Sequence, residues 1–435
     1  MQWGLIDPER LPTRRRRTLE LTGVIRHYND LAVPGLGGLW FIKQIALATL
    51  GVRVAHEVRS SAHSPIVVTN AIEALSCALA FERNRGMGDA RLRGSRKLSG
   101  RKDLSFSALS KAAAYVTQPM RMAVSEPLKA LGFVETPGSR FNSFSPARAG
   151  DDFVDAVFGQ FKPRGRSVVD YLIEWVRTDE RTIDVRNRRL VEALSPDLPV
   201  IGTEGASTLR EHLVRNSERR RNALAWIEHL SDGDRVDWGS RAASIDEAHW
   251  RDMVAGAAFN EARDDGIACI ETVEAHLQRM HEPRLDLTRP LPAPVRETGE
   301  KWRRSCARFE VLAASKEGGA EAEAFCAEAR EGRLEDAIGR LVTRDADTLR
   351  WETDQIVGTA AFRARFGLGP DAPSTEESQA EDISSLSSDK DDSPPDEPEI
   401  DWPVGRSQRL PQLRSLSLDL RGELHRRILG EPSDA

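Results

Sequence analysis

The residues best suited to chemistry are cations gathered in one short stretch. Between Arg83 and Lys102 the chain has eight Lys or Arg against a single Asp, together with four glycines and little apolar surface. Such a segment predicts a solvated, flexible loop. Its side chains either bind phosphate groups, because each neutralised phosphate of a nucleic acid releases counterions, or stay solvated without a ligand. The predicted contacts are Arg91, Arg93, Arg96, Lys97, Arg101 and Lys102.

A second set of polar residues recurs at steps of four shortly afterwards. In the run QPMRMAVSEPLKALGFV, Arg121, Ser125 and Lys129 share one face of a predicted helix, while apolar residues follow the other face. Gly132 is suited to end this helix in a left-handed conformation. Pro127 predicts a kink, or a helix that begins only at Ser125.

The order of elements around this helix is similar to that of the winged-helix family. A helix from Ser105 to Val116, a turn, the polar-faced helix and a hairpin are predicted within residues 105–145, and the specific match is the run LKALGFVETPGSRF. The hairpin would pair a strand at 133–135 with one at 140–144 through a type II turn at Pro137-Gly138. The resemblance implies that Arg121, Ser125 and Lys129 face a DNA groove and that Arg140 of the wing contacts phosphate.

Catalytic and metal-binding signatures do not rise above background. The four cysteines are scattered, and His276 and His281 are five residues apart, whereas a helical ligand pair needs three or four. Five residues separate Gly94 from Gly100, so the basic stretch fails the phosphate-loop pattern, and GxSxG, HExxH and GxGxxG do not occur. We therefore expect a non-enzymatic protein without cofactor or metal.

The composition favours a mainly α, multi-domain protein. Aromatic residues make up only 6% of the chain, and straight-chain helix formers are abundant. Residues 38–55 predict a buried core helix, because this apolar run contains Lys43 and Arg53 and is too short to span a bilayer. With no apolar signal region before Arg14–Arg17, the expected location is the cytoplasm, without membrane association. Helix starts are predicted at Ser167, as N-cap, and at the capping box Thr208-Leu-Arg-Glu211.

The acidity of the chain lies in one segment. Asp371 to Ile400 has eleven Asp or Glu against one Lys, whereas the net charge of the whole chain is −6. This Ser-, Pro- and acid-rich stretch predicts a disordered linker. The predicted organisation is a helical region at 1–82, a basic flexible loop at 83–104, a winged-helix-like α+β module at 105–150, a helical domain at 151–368, the linker at 369–400 and a docking segment at 401–435.

The docking segment carries a leucine stripe. Its apolar residues follow one another at steps of three and four, as in an amphipathic helix that must bury one face. The helix is expected to dock on its own chain or on a protein partner, and the two alternatives stay open. The predicted docking residues are Leu413, Leu416, Leu420, Leu424 and Ile428.

Two functions from different classes follow. The first is a DNA-binding or DNA-associated subunit of a bacterial multiprotein complex, with duplex DNA and a protein partner bound through 401–435. The second is a protein-only scaffold or adaptor. Its order of parts resembles the kleisin subunits of chromosome-organising complexes, and a role in a mobile-element or phage-defence system is also compatible.

Overall fold

The computed structural model describes residues 17–58, 63–86, 89–179, 182–230, 238–313, 319–366, 407 and 409–429. The predicted linker at 369–400 lies outside the described residues, as do residues 1–16. Over the described ranges the protein is mainly helical, as predicted, with two small antiparallel sheets.

The first half of the chain consists of short and medium helices and one minimal hairpin. The elements are α1 (Thr22–Ala32), α2 (Ile42–Val58), α3 (Pro65–Arg83), α4 (Ser95–Leu98), α5 (Phe106–Leu109), α6 (Met120–Ala130), β1 (Val134–Glu135), β2 (Ser145–Pro146), α7 (Arg148–Phe158), α8 (Val168–Thr178), α9 (Arg188–Leu194), α10 (Glu204–Arg215) and α11 (Glu218–Glu228). Three 3-10 turns occur at Ala112–Ala114, Phe141–Ser143 and Pro163–Gly165.

The second half holds longer helices and a three-stranded sheet. The elements are α12 (Glu247–Leu277), β3 (Arg284–Asp286), α13 (Ala293–Leu312), α14 (Gly319–Arg330), α15 (Leu334–Asp345), β4 (Leu349–Glu352), β5 (Gln355–Gly358), α16 (Ala360–Arg365), α17 (Arg409–Leu420) and α18 (Leu424–Ile428). The strand order is β3-β5-β4, with Ile356 opposite both Leu285 and Trp351.

The chain divides into two compact units, and each is discontinuous in sequence. Unit 1 contains the described residues up to Leu31, those from Glu247 to 366, and Ser407. Its core lies between α12, α13, α14 and α15 and is centred on Phe259, Trp302 and Phe325, all fully buried. Unit 2 contains the described residues from Ala32 to Asp246 and from 409 to 429.

Unit 2 is built around α2, which packs against α3, α6, α7 and α8. Twelve consecutive or near-consecutive residues of α2 are buried, so this helix is enclosed on all sides, as a helix with apolar residues on every face must be. The prediction of a core helix at 38–55 is confirmed. By length and composition α3 is the one described helix that would suit a membrane span, but 72% of its apolar window is buried inside the protein.

The residues predicted as a winged helix form a different arrangement. The stretch predicted as one helix, Ser105–Val116, contains the four-residue α5 and a separate 3-10 turn. The predicted returning strand at 140–144 is a 3-10 turn instead, and the partner of β1 is Ser145–Pro146. Gly138 does not adopt the positive φ that a type II turn needs. Its amide donates a hydrogen bond to the Thr136 hydroxyl, which forms a side-chain turn in place of the type II turn.

Helix α6 itself is predicted closely. It begins after Pro119 and ends with Gly132 at φ 73°, where the Phe133 and Gly132 amides donate to the carbonyls of Leu128 and Lys129. Pro127 does not break it. The Ala123 carbonyl, which loses its helical donor because proline has no amide hydrogen, accepts the Gly38 amide over 2.7 Å.

Candidate nucleic-acid interface

The basic stretch is ordered against an irregular piece of backbone. Arg93 donates to the Gln118 carbonyl over 2.8 Å, Lys97 to that of Tyr115 over 2.8 Å, and Arg101 to that of Ala108 over 2.9 Å. The acceptors belong to residues 108–118, where helical hydrogen bonding is interrupted and carbonyl groups need other donors. The side chains predicted to contact phosphate therefore also hold this segment in place.

Apolar residues between the cations anchor the stretch, which corrects the prediction of a flexible loop. Leu92 and Leu98 are buried, and α4 forms between two glycines with positive φ, Gly94 and Gly100. A Cβ at Gly94 would lie 3.3 Å from the Tyr115 ring, so this glycine allows a close approach of the two segments. Within residues 83–104, only 87 and 88 lie outside the described residues.

Five cations here form what we call the basic ridge: Arg93, Lys97, Arg101, Lys102 and Lys111. Lys97, Lys102 and Lys111 are exposed, and Arg93 and Arg101 are half-buried. In the part of the chain that the structure describes, none of the five has a carboxylate oxygen within 4.0 Å, whereas many arginines elsewhere are paired with Asp or Glu. Arg96 is exposed on the same short helix.

Arg91 does not belong to this surface, contrary to the prediction. Its side chain is 1% exposed and makes a bidentate contact with Asp89 at 2.7 and 2.9 Å. The same guanidinium donates to Nδ1 of His425 over 3.0 Å. Arg91 thus joins the basic stretch to α18 and is covered from solvent.

Arg121 is also engaged inside the protein. Its backbone amide donates to Glu73 over 2.7 Å, its Nε donates to Asn70 over 2.6 Å, and its guanidinium lies 5.1 Å above the Phe141 ring. Burial raises the pKa of Glu73 to about 7, and Arg121 opposes that rise. Burial likewise lowers the pKa of Arg121.

The outer face of α6 does not resemble a groove-reading surface. Ser125 donates its hydroxyl to the Arg121 carbonyl, and Glu126 pairs with Arg409 at 3.7 Å. The exposed residues are Lys129 and Met122, which is 54% exposed. One lysine beside an apolar side chain and a carboxylate gives little capacity to read base edges.

Contacts along α3 nevertheless align several cations. Near the start of α3, the Ile66 amide donates to Asn142, which is two residues from exposed Arg140. In the middle of the helix, Asn70 and Glu73 contact Arg121. Further along, Cys77 contacts the Arg93 backbone. At about 1.5 Å per residue, the stretch from 66 to 77 spans roughly 16 Å. The wing-like loop, Arg121 and the start of the basic ridge therefore follow α3 in that order.

The leucine stripe of the C-terminal segment is docked on its own chain. Leu413, Leu416 and Leu424 are at most 1% exposed, and Leu420 and Ile428 are half-buried. Helix α17 packs against α11, α10 and α2 within unit 2. This arrangement corresponds to the self-docking alternative. These leucines could bind a protein partner only if α17 first separated from α11, α10 and α2.

Two charged residues of α17 complete other helices, a role not visible in the sequence. The Asp419 carboxylate accepts the amide of Ile42, the first residue of α2, over 2.6 Å. The Arg414 guanidinium donates to the Ile227 carbonyl in the last turn of α11 over 2.6 Å. Both charges are favourable to the helix termini that they contact.

An apolar groove of about 710 Å³ opens elsewhere on unit 2. Its lining includes Leu79, Val191 and Leu198 together with two exposed apolar residues, Val185 and Ile201. The lining also includes Arg83, Arg186 and Arg188 against Glu82 and Glu192, so the groove has only a small excess of positive charge.

Other reactive groups are either buried or dispersed. All four cysteines are buried thiols, and burial raises the pKa of Cys77 and of Cys269 to about 12, which leaves them unreactive at neutral pH. Among the described residues, which include His276 and His281, no cluster of three or more His, Cys, Asp or Glu has a metal-binding arrangement.

Compared with known proteins, the chain matches no family model, no curated protein and no solved structure at a significant level.

Proposed function

We propose that this chain is a non-enzymatic DNA-associated protein that binds the phosphate backbone of duplex DNA through the basic ridge. The observation that carries the proposal is that, among the described residues, none of these five neighbouring cations has a carboxylate oxygen within 4.0 Å, although Asp103 is near enough for Arg101 and Lys111 to help lower its pKa. Arg93, Lys97 and Arg101 are already held in place by backbone carbonyls, so these side chains lose little conformational entropy when they meet an anion. A polyanion is the ligand that this arrangement suits best.

The proposed binding is insensitive to base sequence. The helix predicted to read a groove, α6, does not present a row of basic side chains, since its Arg121 is turned inward. Phosphate contacts fix position and supply affinity that falls with salt. Membership in a larger complex stays a prediction.

The test is a salt titration of binding to a short fluorescent DNA duplex, followed by anisotropy. The triple variant Lys97→Gln, Lys102→Gln, Lys111→Gln removes three ridge charges and keeps Arg93 and Arg101, of which Arg101 makes the most carbonyl contacts. We expect the slope of log K against log salt to decrease by about 3, because each phosphate that is no longer neutralised lowers it by roughly 0.9.

A matched control changes three exposed cations of unit 2 outside the ridge: Arg148→Gln, Lys162→Gln, Arg189→Gln. It alters the net charge equally, so general electrostatic attraction would affect both variants alike. Equal decreases of slope would contradict a localised interface. Absence of salt-dependent binding in the unmodified protein would remove the proposal altogether.

A second candidate is the protein-only adaptor. The apolar groove with exposed Val185 and Ile201 favours it, since contiguous exposed apolar surface often marks a protein contact. Flat salt dependence in the DNA titration would favour this alternative.

A further inference from the structure

The contact between Arg91 and His425 defines the protonation state of the histidine. An arginine guanidinium only donates hydrogen bonds, so Nδ1 of His425, 3.0 Å away, must accept. An imidazole can accept at Nδ1 only when it is neutral and carries its hydrogen on Nε2. The observed contact therefore exists in the neutral form alone.

Protonation would reverse this contact. A hydrogen on Nδ1 of His425 would point at an N–H group of Arg91, so the hydrogen bond would be lost. The protonated ring would also repel the Arg91 guanidinium, which cannot move away because two of its nitrogens are hydrogen-bonded to Asp89 in a buried site. Burial, followed by the Arg91 charge, lowers the pKa of His425. The docked segment is therefore most stable with neutral histidine and loses stability as the pH falls through the ordinary histidine pKa of about 6.5.

The other charges around the imidazole do not cancel this effect. His425 is faced by Arg91 and Asp89 from the basic stretch, by Arg83 from the end of α3 and by Asp197 from the turn after α9. Asp89 is already bound to Arg91, and Asp197 to Arg83 and Asn84. Neither carboxylate makes a hydrogen bond to the ring in this arrangement.

Only the short helix α18 can move when His425 is protonated. In α17 the residues from Gln412 to Asp419 are all buried, so this helix stays in place. Helix α18 contributes only one fully buried residue, Leu424, and follows a turn at Gly422 with φ 76°. A perturbation at His425 thus acts on α18 alone.

We propose that α18 is a pH-sensitive cover over Arg91, which opens when His425 is protonated. Opening exposes a buried guanidinium of the basic stretch while the rest of unit 2 stays folded. This opening of α18 does not depend on nucleic-acid binding.

Hydrogen exchange measured by mass spectrometry on the full-length protein tests the proposal. After correction for intrinsic rates, peptides containing the amides of Arg427 and Leu429, which are bonded to the Glu423 and His425 carbonyls, should exchange about fivefold to thirtyfold faster at about pH 5.5 than at about pH 7.5. Peptides from α17 should not change.

The variant His425→Asn keeps an acceptor near the position of Nδ1 but cannot titrate, so its exchange should be independent of pH. His229→Asn is the control, because Nδ1 of exposed His229 lies 2.6 Å from the Ala225 carbonyl and keeps that bond when protonated. This control should retain the pH response.

The proposal is overturned if the unmodified protein shows no acceleration, or if His425→Asn accelerates equally. NMR tests the same proposal without variants. Selective ¹⁵N-histidine labelling should show an unprotonated Nδ1 at His425 in neutral solution. A protonated Nδ1 at neutral pH would also exclude the mechanism.

Discussion

Single buried charges in unit 2 act as helix caps. Lys43 is fully buried and donates to the carbonyls of Glu192 and Ser195, both at 2.9 Å, which lie at the C-terminal end of α9. Burial lowers its pKa to about 7, although Asp197 partly opposes the change. A lysine in an apolar run, which the sequence marked only as an interruption, thus joins α2 to α9.

This lysine predicts a pH dependence of stability. The unfolded chain binds the Lys43 proton up to about pH 10.5, whereas the folded chain releases it near pH 7, so stability rises with pH in between. Urea unfolding from about pH 7 to about pH 8.5 should show a gain of up to about 1.4 kcal/mol per pH unit.

The variant Lys43→Met should remove this slope, and an unchanged slope would contradict the assignment. The range ends near pH 8.5 because the raised pKa of the buried cysteines acts in the opposite direction. Their stabilising contribution is present below the ordinary thiol pKa of 9.0 and is lost above it.

At the scale of elements, α6 depends on a glycine-rich segment that precedes α2. Gly37 has φ 55°, and a Cβ there would lie 2.5 Å from Pro127 and 2.8 Å from the Ala123 carbonyl. Only a residue without Cβ allows the backbone close enough for Gly38 to satisfy the carbonyl that Pro127 leaves free.

Gly37→Ala should therefore lower the free energy of unfolding by about 2 to 4 kcal/mol, since it combines an unfavourable φ with a collision against backbone and proline ring. Chemical denaturation of the purified protein measures the change. Gly100→Ala is the control: its φ is also positive, 71°, but nothing lies within 4 Å of the added carbon. Equal destabilisation of the two variants would show that the close approach contributes nothing.

Local sequence signals predicted elements well where the decision was local. Ser167 caps α8 by accepting the Asp170 amide, and Gly132 ends α6 as expected. Local signals gave wrong helix bounds where tertiary contacts set those bounds. Helix α10 begins at Glu204, so the predicted capping box at Thr208 lies inside it. The helix predicted through Val116 is interrupted after Leu109. The sequence pointed to four of the five cations of the basic ridge and missed Lys111, which lies outside the basic stretch. Spacing alone could not show that Arg91 and Arg121 turn inward to meet Asp89 and Asn70.

At the scale of the whole molecule, α17 is part of the core of unit 2. Leu410, Leu413, Leu416 and Leu418 are buried, and Asp419 caps α2. From the sequence alone, deletion of residues 401–435 would be expected to remove only a peripheral docking segment. With the structure known, the same deletion would remove a core helix and expose the groove between α2, α10 and α11.

Leu416→Ala measures this contribution. It should lower the stability of unit 2 by about 3 to 5 kcal/mol, because a fully buried leucine leaves a cavity when truncated. Leu429→Ala serves as the control, since Leu429 is 57% exposed and its truncation should change stability by less than about 0.5 kcal/mol. Thermal or urea unfolding distinguishes the two, and similar small effects would contradict a core role for α17.

The order in which the chain contributes to its two units has a consequence during synthesis. Unit 2 starts near Ala32, yet it needs a helix that begins at Arg409, and the part of unit 1 that starts at Glu247 is translated in between. A ribosome must therefore translate past Asp419 before α2 receives its cap. Until that moment the nascent protein exposes an unfilled apolar surface, and its yield in cells should depend on chaperones that shield such surfaces.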